Sequence, residues 1–363
     1  MSNMHLSPLL QQRISLLRFL MIFGVVLLHT PPYVRLEDVG TGPFDFVVAL
    51  CQHAIFRTSV PVLTFISAYL LFRAGLDLRP VELLRKKSRS LLLPYLVFNL
   101  GVLAGFLLVR EMLGVTTPAV SHTGLAGWLN VAFGLAGPPI NYPLNFLRDL
   151  LVLMLLAPLF GYLLRKTPFL GLILVLLVFY NNLDGPLVMR DVMGPVFYLG
   201  GLAAVLKWDM EALDRFAPAL LAVFFACCAA VVYFKIINTN YLRLVAPVLV
   251  WPAASLLVPT AFGQWLARMG KYSFFLFLAH APILVGVNLL YRRFGDVVPY
   301  PLYWIMAPVI VTLIVVGLYA LAMRSMPGIF CTLIGKGRPA EISSDKAVPA
   351  IHPAHELGDV VKV

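Results

Sequence analysis

The sequence predicts an all-α integral membrane protein, a polytopic bundle of about ten transmembrane helices with both termini cytoplasmic. Three observations predict it. Of the 363 residues, 60% are hydrophobic and only 12% charged, and mean hydropathy is +0.89, a balance foreign to water-soluble domains of this length. The apolar residues fall in long runs separated by short polar or Pro/Gly breaks. The basic residues gather in alternate breaks, eighteen Lys and Arg on one side against seven on the other, and the richer side is expected inside. The formal net charge of +11 is therefore a topology signal, and no nucleic-acid partner is expected.

The apolar runs are taken in order. The first, 14–30, ends in His29-Thr30-Pro31-Pro32 where a signal peptide would carry small residues for cleavage, so it reads as an uncleaved helix. The second, 44–72, is too long for one straight crossing and contains Pro61, which predicts a kink or a tilt. The third, 91–113, is entered through the basic cluster Arg85-Lys86-Lys87-Ser88-Arg89. Runs follow at 143–164, 168–181 and 192–206, the last two short enough to be re-entrant or buried. Four more lie at 216–237, 243–259, 272–291 and 302–323. Residues 1–13 then form a cytoplasmic N-terminus and 14–323 the transmembrane domain. Residues 324–363, polar and holding Pro327, Pro339, Pro349 and Pro353, form a flexible cytoplasmic tail.

No redox or metal framework is expected. Cys51, Cys227, Cys228 and Cys331 form no CxxC pair, and the histidines do not cluster. Internal repeats are absent, which weakens a transporter reading.

The residues that bear chemistry are ionisable groups placed inside apolar runs, where each needs a wet or protein-lined partner. Arg18 and His29 bracket ten uncharged residues, about 16 Å apart along a helix. Their bland reading is an interfacial anchor and a polar helix end. Their functional reading is a phosphate partner and a general base, since neutral imidazole suits removal of a hydroxyl proton. His53 and Arg57 lie four apart on one helix face, and Arg57 calls for a counter-charge such as Asp45 or Asp149, for carbonyls, for water or for a ligand. The cluster Arg85–Arg89 reads equally as a topology signal or a grip on donor phosphates. Arg148 and Asp149 project about 100° apart, so each is expected to pair with another helix. His280 lies alone on an apolar run, where a packing role balances a chemical one. Two outer loops, 114–142 with His122 and Trp128 and 291–304 with Tyr300 and Trp304, carry groups suited to sugars or to the interfacial belt.

In order, these segments resemble the membrane-bound acyltransferase family 3, over roughly residues 11–325. Arg18 and His29 match the first-helix R-x10-H element. Arg57-Thr-Ser-Val-Pro-Val-Leu-Thr-Phe-Ile-Ser-Ala-Tyr-Leu-Leu is similar to the family's VPLFF-x-SGYLL element. Lys86 and Arg89 before Pro94-Tyr95 resemble its basic RxxR-type element, and Gly270-Lys271-Tyr272-Ser273 through His280 resembles its late GK-x-S…H element. The chain departs at Ala68, where the family usually has glycine, and at Asn145, where it often has tryptophan. Lys86 also replaces the first arginine of the basic pair.

The resemblance implies an O-acyltransferase of the bacterial cytoplasmic (inner) membrane. It would move an acyl group, acetyl in the first instance, from cytoplasmic acetyl-CoA to a hydroxyl of a surface or exported polysaccharide or lipid-linked glycan. It implies His29 and Arg57 as catalytic residues and Arg18, Lys86 and Arg89 as donor-binding ones, with Ser67, Tyr69, Arg148 and His280 around the acceptor pocket. No tightly bound cofactor is implied, since acyl-CoA is a co-substrate. Two alternatives stay open: a glycan or lipid-linked sugar exporter, and a polyisoprenoid-dependent glycosyltransferase that would use Glu37-Asp38 in the first outer loop.

Overall fold

The computed structural model describes residues 6–114, 124–295 and 297–336, and all regular structure among them is helical. The first helix, α1 (Pro8–Leu28), starts where it does for two reasons. Ser7 Oγ accepts from the Leu10 amide at 3.2 Å, and Pro8 occupies the position whose amide would have no helical partner. The helix is largely buried and is flanked by four others, so it forms the axis of the bundle.

The next helix, α2 (Pro43–Arg73), is the second long run, and its irregularity lies just before the expected proline. Leu50–Ile55 is a π-helical turn and Phe56–Thr58 a 3-10 turn, before regular helix resumes at Ser59–Arg73. Pro61 has no N–H for the Arg57 carbonyl, so the ladder is already broken at that point. A second π-helical turn, Ser88–Leu92, interrupts α3 (Pro80–Met112). After α4 (Leu125–Phe133), helices α5 (Tyr142–Leu155) and α6 (Ala157–Lys166) meet at a bend of 54°. Pro158 accounts for it, since it cannot donate to the Met154 carbonyl.

Helices α7 (Pro168–Tyr180) and α8 (Met193–Val205) follow, then α9 (Asp214–Tyr233), α10 (Asn240–Leu257), α11 (Ala261–Arg293) and α12 (Tyr300–Ser325). Seven described helices are long and apolar enough to cross a membrane, or eight if the bent α5–α6 pair counts as one span. Each of the ten expected runs has a helical counterpart, yet helix length alone does not carry the count to ten. At 13 residues each, α7 and α8 extend only about 20 Å, short of a hydrocarbon core of about 30 Å. Neither side of the membrane is marked in the structure, so the two ends of the bundle are called here the Arg18 end and the His29 end.

α8 is the most buried of the short helices and lies along α2. Gly200 makes this approach possible, because a Cβ there would stand 2.5 Å from the Phe65 carbonyl oxygen. Near the start of α1, Arg13 is 1% exposed, ion-paired to Asp214 at 2.5 Å and stacked over Trp251. The sequence counts Arg13 as a topology charge; the fold uses it to tie α1 to α9 and α10. The expected flexible tail also has structure in its first part. Helix α13 (Pro327–Leu333) buries Phe330 and Cys331, and Gly335, at φ +68°, lies against the Ser90 backbone. The rest of that tail, residues 337–363, lies outside the described residues, as does the loop residue His122.

Candidate active site

Three cavities follow one another through the bundle, neighbours sharing lining residues. The first, of about 540 Å³, opens at the Arg18 end. Its cations are Arg18 from α1, Lys87 from α3, Lys271 from α11 and Lys336 after α13, and no described carboxylate lines it. Ser67, Ser90 and Ser273 add hydroxyls. One sign of charge on low-dielectric walls concentrates anions there.

Phe146 and Phe277 belong both to this cavity and to the next. Their rings meet edge to face, 5.6 Å between centroids and at 87°. They form an aromatic septum.

Beyond it lies a cavity of about 220 Å³ lined by His29, Arg57, Tyr142, Asn145, Arg190, Asp191 and Arg243. His29 caps α1, and its Nδ1 lies 2.8 Å from the Val25 carbonyl. A carbonyl accepts only, so Nδ1 carries the proton and Nε2 keeps its lone pair. The His280 ring lies behind, its centroid 5.6 Å from that of His29, and its Nδ1 is likewise 2.8 Å from the Phe277 carbonyl. His280 is fully buried, and its Nε2 has no protein partner.

Arg57 and Arg243 also line a third cavity, of about 360 Å³, at the His29 end. Tyr33, Arg35, Glu37, His53, Asn238 and Asn240 line it. Arg57 donates through Nε to the Gln52 carbonyl at 3.2 Å and through Nη2 to the Tyr33 hydroxyl. It pairs with neither Asp45, which caps Gly42, nor Asp149. Burial, before any neighbour, pushes the Arg190 guanidinium below its ordinary value; Asp149 opposes that shift and Arg57 reinforces it.

The structure thus brings Arg18, Ser67, His29 and Arg57 to this row of cavities, with His280 directly behind His29. It does not bring the other expected residues there. Lys86 is paired to Glu82 one turn away at 2.6 Å, and Arg89 is exposed. Lys87, Ser90 and Leu91 face the cavity instead, three and four residues apart on the adjoining helix face. Tyr69 is buried with its hydroxyl accepting from Arg73 at 2.5 Å. Arg148 does not pair with another helix's charge. It bonds Asp149 beside it at 2.9 Å and the carbonyls of Gly134, Leu135, Pro186 and Leu187, while Asp149 accepts from the Met189 and Arg190 amides. Together Arg148 and Asp149 clamp two loops over the central cavity.

Arg190 and Arg243, two of the seven basic residues on the poorer side of the charge count, are functional candidates that the sequence does not single out. The available signal was Arg243, a cation just inside an apolar run. Asn145 also gains a meaning: its Oδ1 accepts from Arg190 Nη2 at 2.5 Å, which an indole, a donor only, could not do.

A multi-pass helical bundle, a histidine with a free Nε2 in a buried cavity and a cation-lined cavity beside it define a helical membrane protein with a polar interior. The acyltransferase domain family matches residues 11–323, and the chain belongs to that family, the membrane-bound acyltransferases of type 3. It is 31% identical over 339 residues to the succinoglycan biosynthesis protein ExoH of Rhizobium meliloti (strain 1021), covering 89% of this chain and 91% of that one. No solved structure matches.

Proposed function

We propose that this protein transfers an acyl group from cytoplasmic acyl-CoA to a sugar hydroxyl of a surface or exported polysaccharide, across the cytoplasmic membrane of a bacterium. The family and the succinoglycan-related relative support the class of reaction and a polysaccharide acceptor. The observation that supports the mechanism is that neighbouring cavities share walls, Phe146 and Phe277 between the first two and Arg57 and Arg243 between the last two. The Arg18 end faces the cytoplasm, and its four cations hold the donor's phosphates by charge-assisted bonds. The thioester reaches past the septum, and the acceptor enters at the His29 end. A path open to both faces lets the acyl group change compartments while the coenzyme stays behind.

In the central cavity His29 Nε2 takes the proton of the acceptor hydroxyl as its oxygen attacks the thioester carbonyl. The new C–O bond forms, the C–S bond breaks, and His29 returns the proton to the leaving sulfur. Arg57 stabilises the charge that develops on the carbonyl oxygen. Acetyl is the default acyl group, subject to the test below.

His29→Ala lowers O-acylation of the surface polysaccharide by about a thousandfold at unchanged protein level, read by proton NMR of glycan from a deletion strain carrying the variant. Wild-type acylation in that strain would remove His29 from the reaction. A change in polymer amount with unchanged decoration would instead favour export or polymer synthesis.

A further inference from the structure

The central cavity holds more positive charge than acyl transfer to a neutral sugar requires. Arg57, Arg190 and Arg243 all line it, against the single lining carboxylate of Asp191. Asp149 redresses the balance only in part: it acts on Arg190, but its oxygens are engaged by Arg148 and by two backbone amides and it forms no ion pair with Arg190 or Arg243. Asp191 reaches Arg243 only through Asn240, which donates to it at 3.3 Å and accepts from Arg243 at 2.8 Å.

Arg190 and Arg243 are also underused. Each guanidinium donates to one side-chain oxygen, on Asn145 and on Asn240 respectively, and the buried Nε of each has no protein partner. A guanidinium cannot shed its proton, and out of bulk water its N–H groups need an anion, carbonyls or water to receive them. Its planar fork matches carboxylate and phosphate alike, and with the donor's phosphates placed at the Arg18 end the anion left for this cavity is a carboxylate.

We propose that the reactant held at His29 carries a carboxylate, gripped by Arg190 and Arg243. This deepens the acyl-transfer reading and rests on it. The carboxylate has two sources: the far end of a dicarboxylic acyl group arriving on the donor, or an acidic sugar of the acceptor. In either case Arg190 and Arg243 set specificity, and His29 performs the proton transfer.

The test uses the full-length protein in lipid nanodiscs, with thermal unfolding followed by tryptophan fluorescence. The probes are succinate against succinamide and glucuronate against glucose, with inorganic phosphate as a further arm. A carboxylate probe raises the melting temperature, its neutral counterpart does not, and apparent affinity falls about tenfold in Arg190→Gln and in Arg243→Gln. Arg190→Lys restores part of the loss. Arg243→Gln keeps the test decisive if Arg190→Gln, which loses its bond to Asn145, fails to fold. Response to succinate assigns the carboxylate to the acyl group, and turnover of succinyl-CoA then exceeds that of acetyl-CoA; response to glucuronate assigns it to the acceptor. No response to either, equal responses in wild type and both Gln variants, or a response to phosphate alone overturns the proposal. Unfolding needs no turnover. The carboxylate site therefore stands or falls separately from the acyl-transfer reading, which the His29→Ala glycan spectrum decides.

Discussion

The imidazoles of His29 on α1 and His280 on α11 lie 5.6 Å apart between centroids, each with Nδ1 bonded to a carbonyl about one turn earlier in its own helix. Each backbone therefore selects the tautomer of its histidine, and both leave Nε2 as an acceptor. A single His29 suffices for proton removal. The second imidazole is buried without a donor, a costly arrangement that implies a use in holding the first ring or its proton. His280→Phe fills the same space without the lone pair. It is expected to lower the turnover rate by about tenfold or more while leaving donor KM unchanged. An equal loss in protein yield would make the histidine a packing residue instead.

The septum of Phe146 and Phe277 separates the cavity of Arg18 from that of His29. Phe146→Ala removes one wall and costs about 3 kcal/mol of packing. In the folded fraction, water gains access to the thioester. Release of free CoA without acceptor should rise several-fold over wild type, measured with a thiol reagent in proteoliposomes. Unchanged background hydrolysis would mean that the rings do not gate the passage.

Donor capture distinguishes two adjacent lysines. Lys87 faces the cavity of Arg18, whereas Lys86 is half-exposed and paired with Glu82. Lys87→Gln is expected to raise KM for acyl-CoA by about tenfold, and the effect should shrink as salt screens the remaining cations. Lys86→Gln is expected to change it by no more than about twofold, the size of a surface ion pair's effect. The reverse ranking would place the phosphates outside the cavity.

Two structural predictions concern the frame that holds the site. Gly200→Val drives a side chain into the Phe65 carbonyl and should cost about 2 kcal/mol or more, seen as a lower melting temperature in detergent. A melting temperature equal to wild type would show that α8 can move away from α2. Asp214→Ala leaves Arg13 buried beside Trp251 without its counter-charge. The expected loss is about 3 kcal/mol, and Arg13→Met in the same chain should recover much of it.

Sequence patterns were most informative where the physics is local. The apolar runs, the break near Pro61 and the placing of His29 about 16 Å from Arg18 along the helix follow from hydropathy and the rise per residue. Ser67 and His280 were likewise found near these cavities because they sit in the same core runs as their motifs. Lys86 and Arg89 were misplaced because the orientation of that turn depends on how α3 packs, and the neighbouring lysine faces inward. Arg148 was misread because an adjacent carboxylate and four loop carbonyls satisfy it, and loop closure is invisible to periodicity.

By itself, the sequence determined that this chain is helical, lives in a bilayer and carries a cation and an imidazole on one buried helix, since composition and helical geometry act residue by residue. Only the tertiary structure decided which charges meet. Arg57, Arg190 and Arg243 come from a helix, a loop and another helix far apart in the chain, and their convergence on one cavity depends on packing such as that of Gly200 against Phe65. Charge in a low-dielectric interior has its effect through distance, and distance across the bundle is a property of the fold.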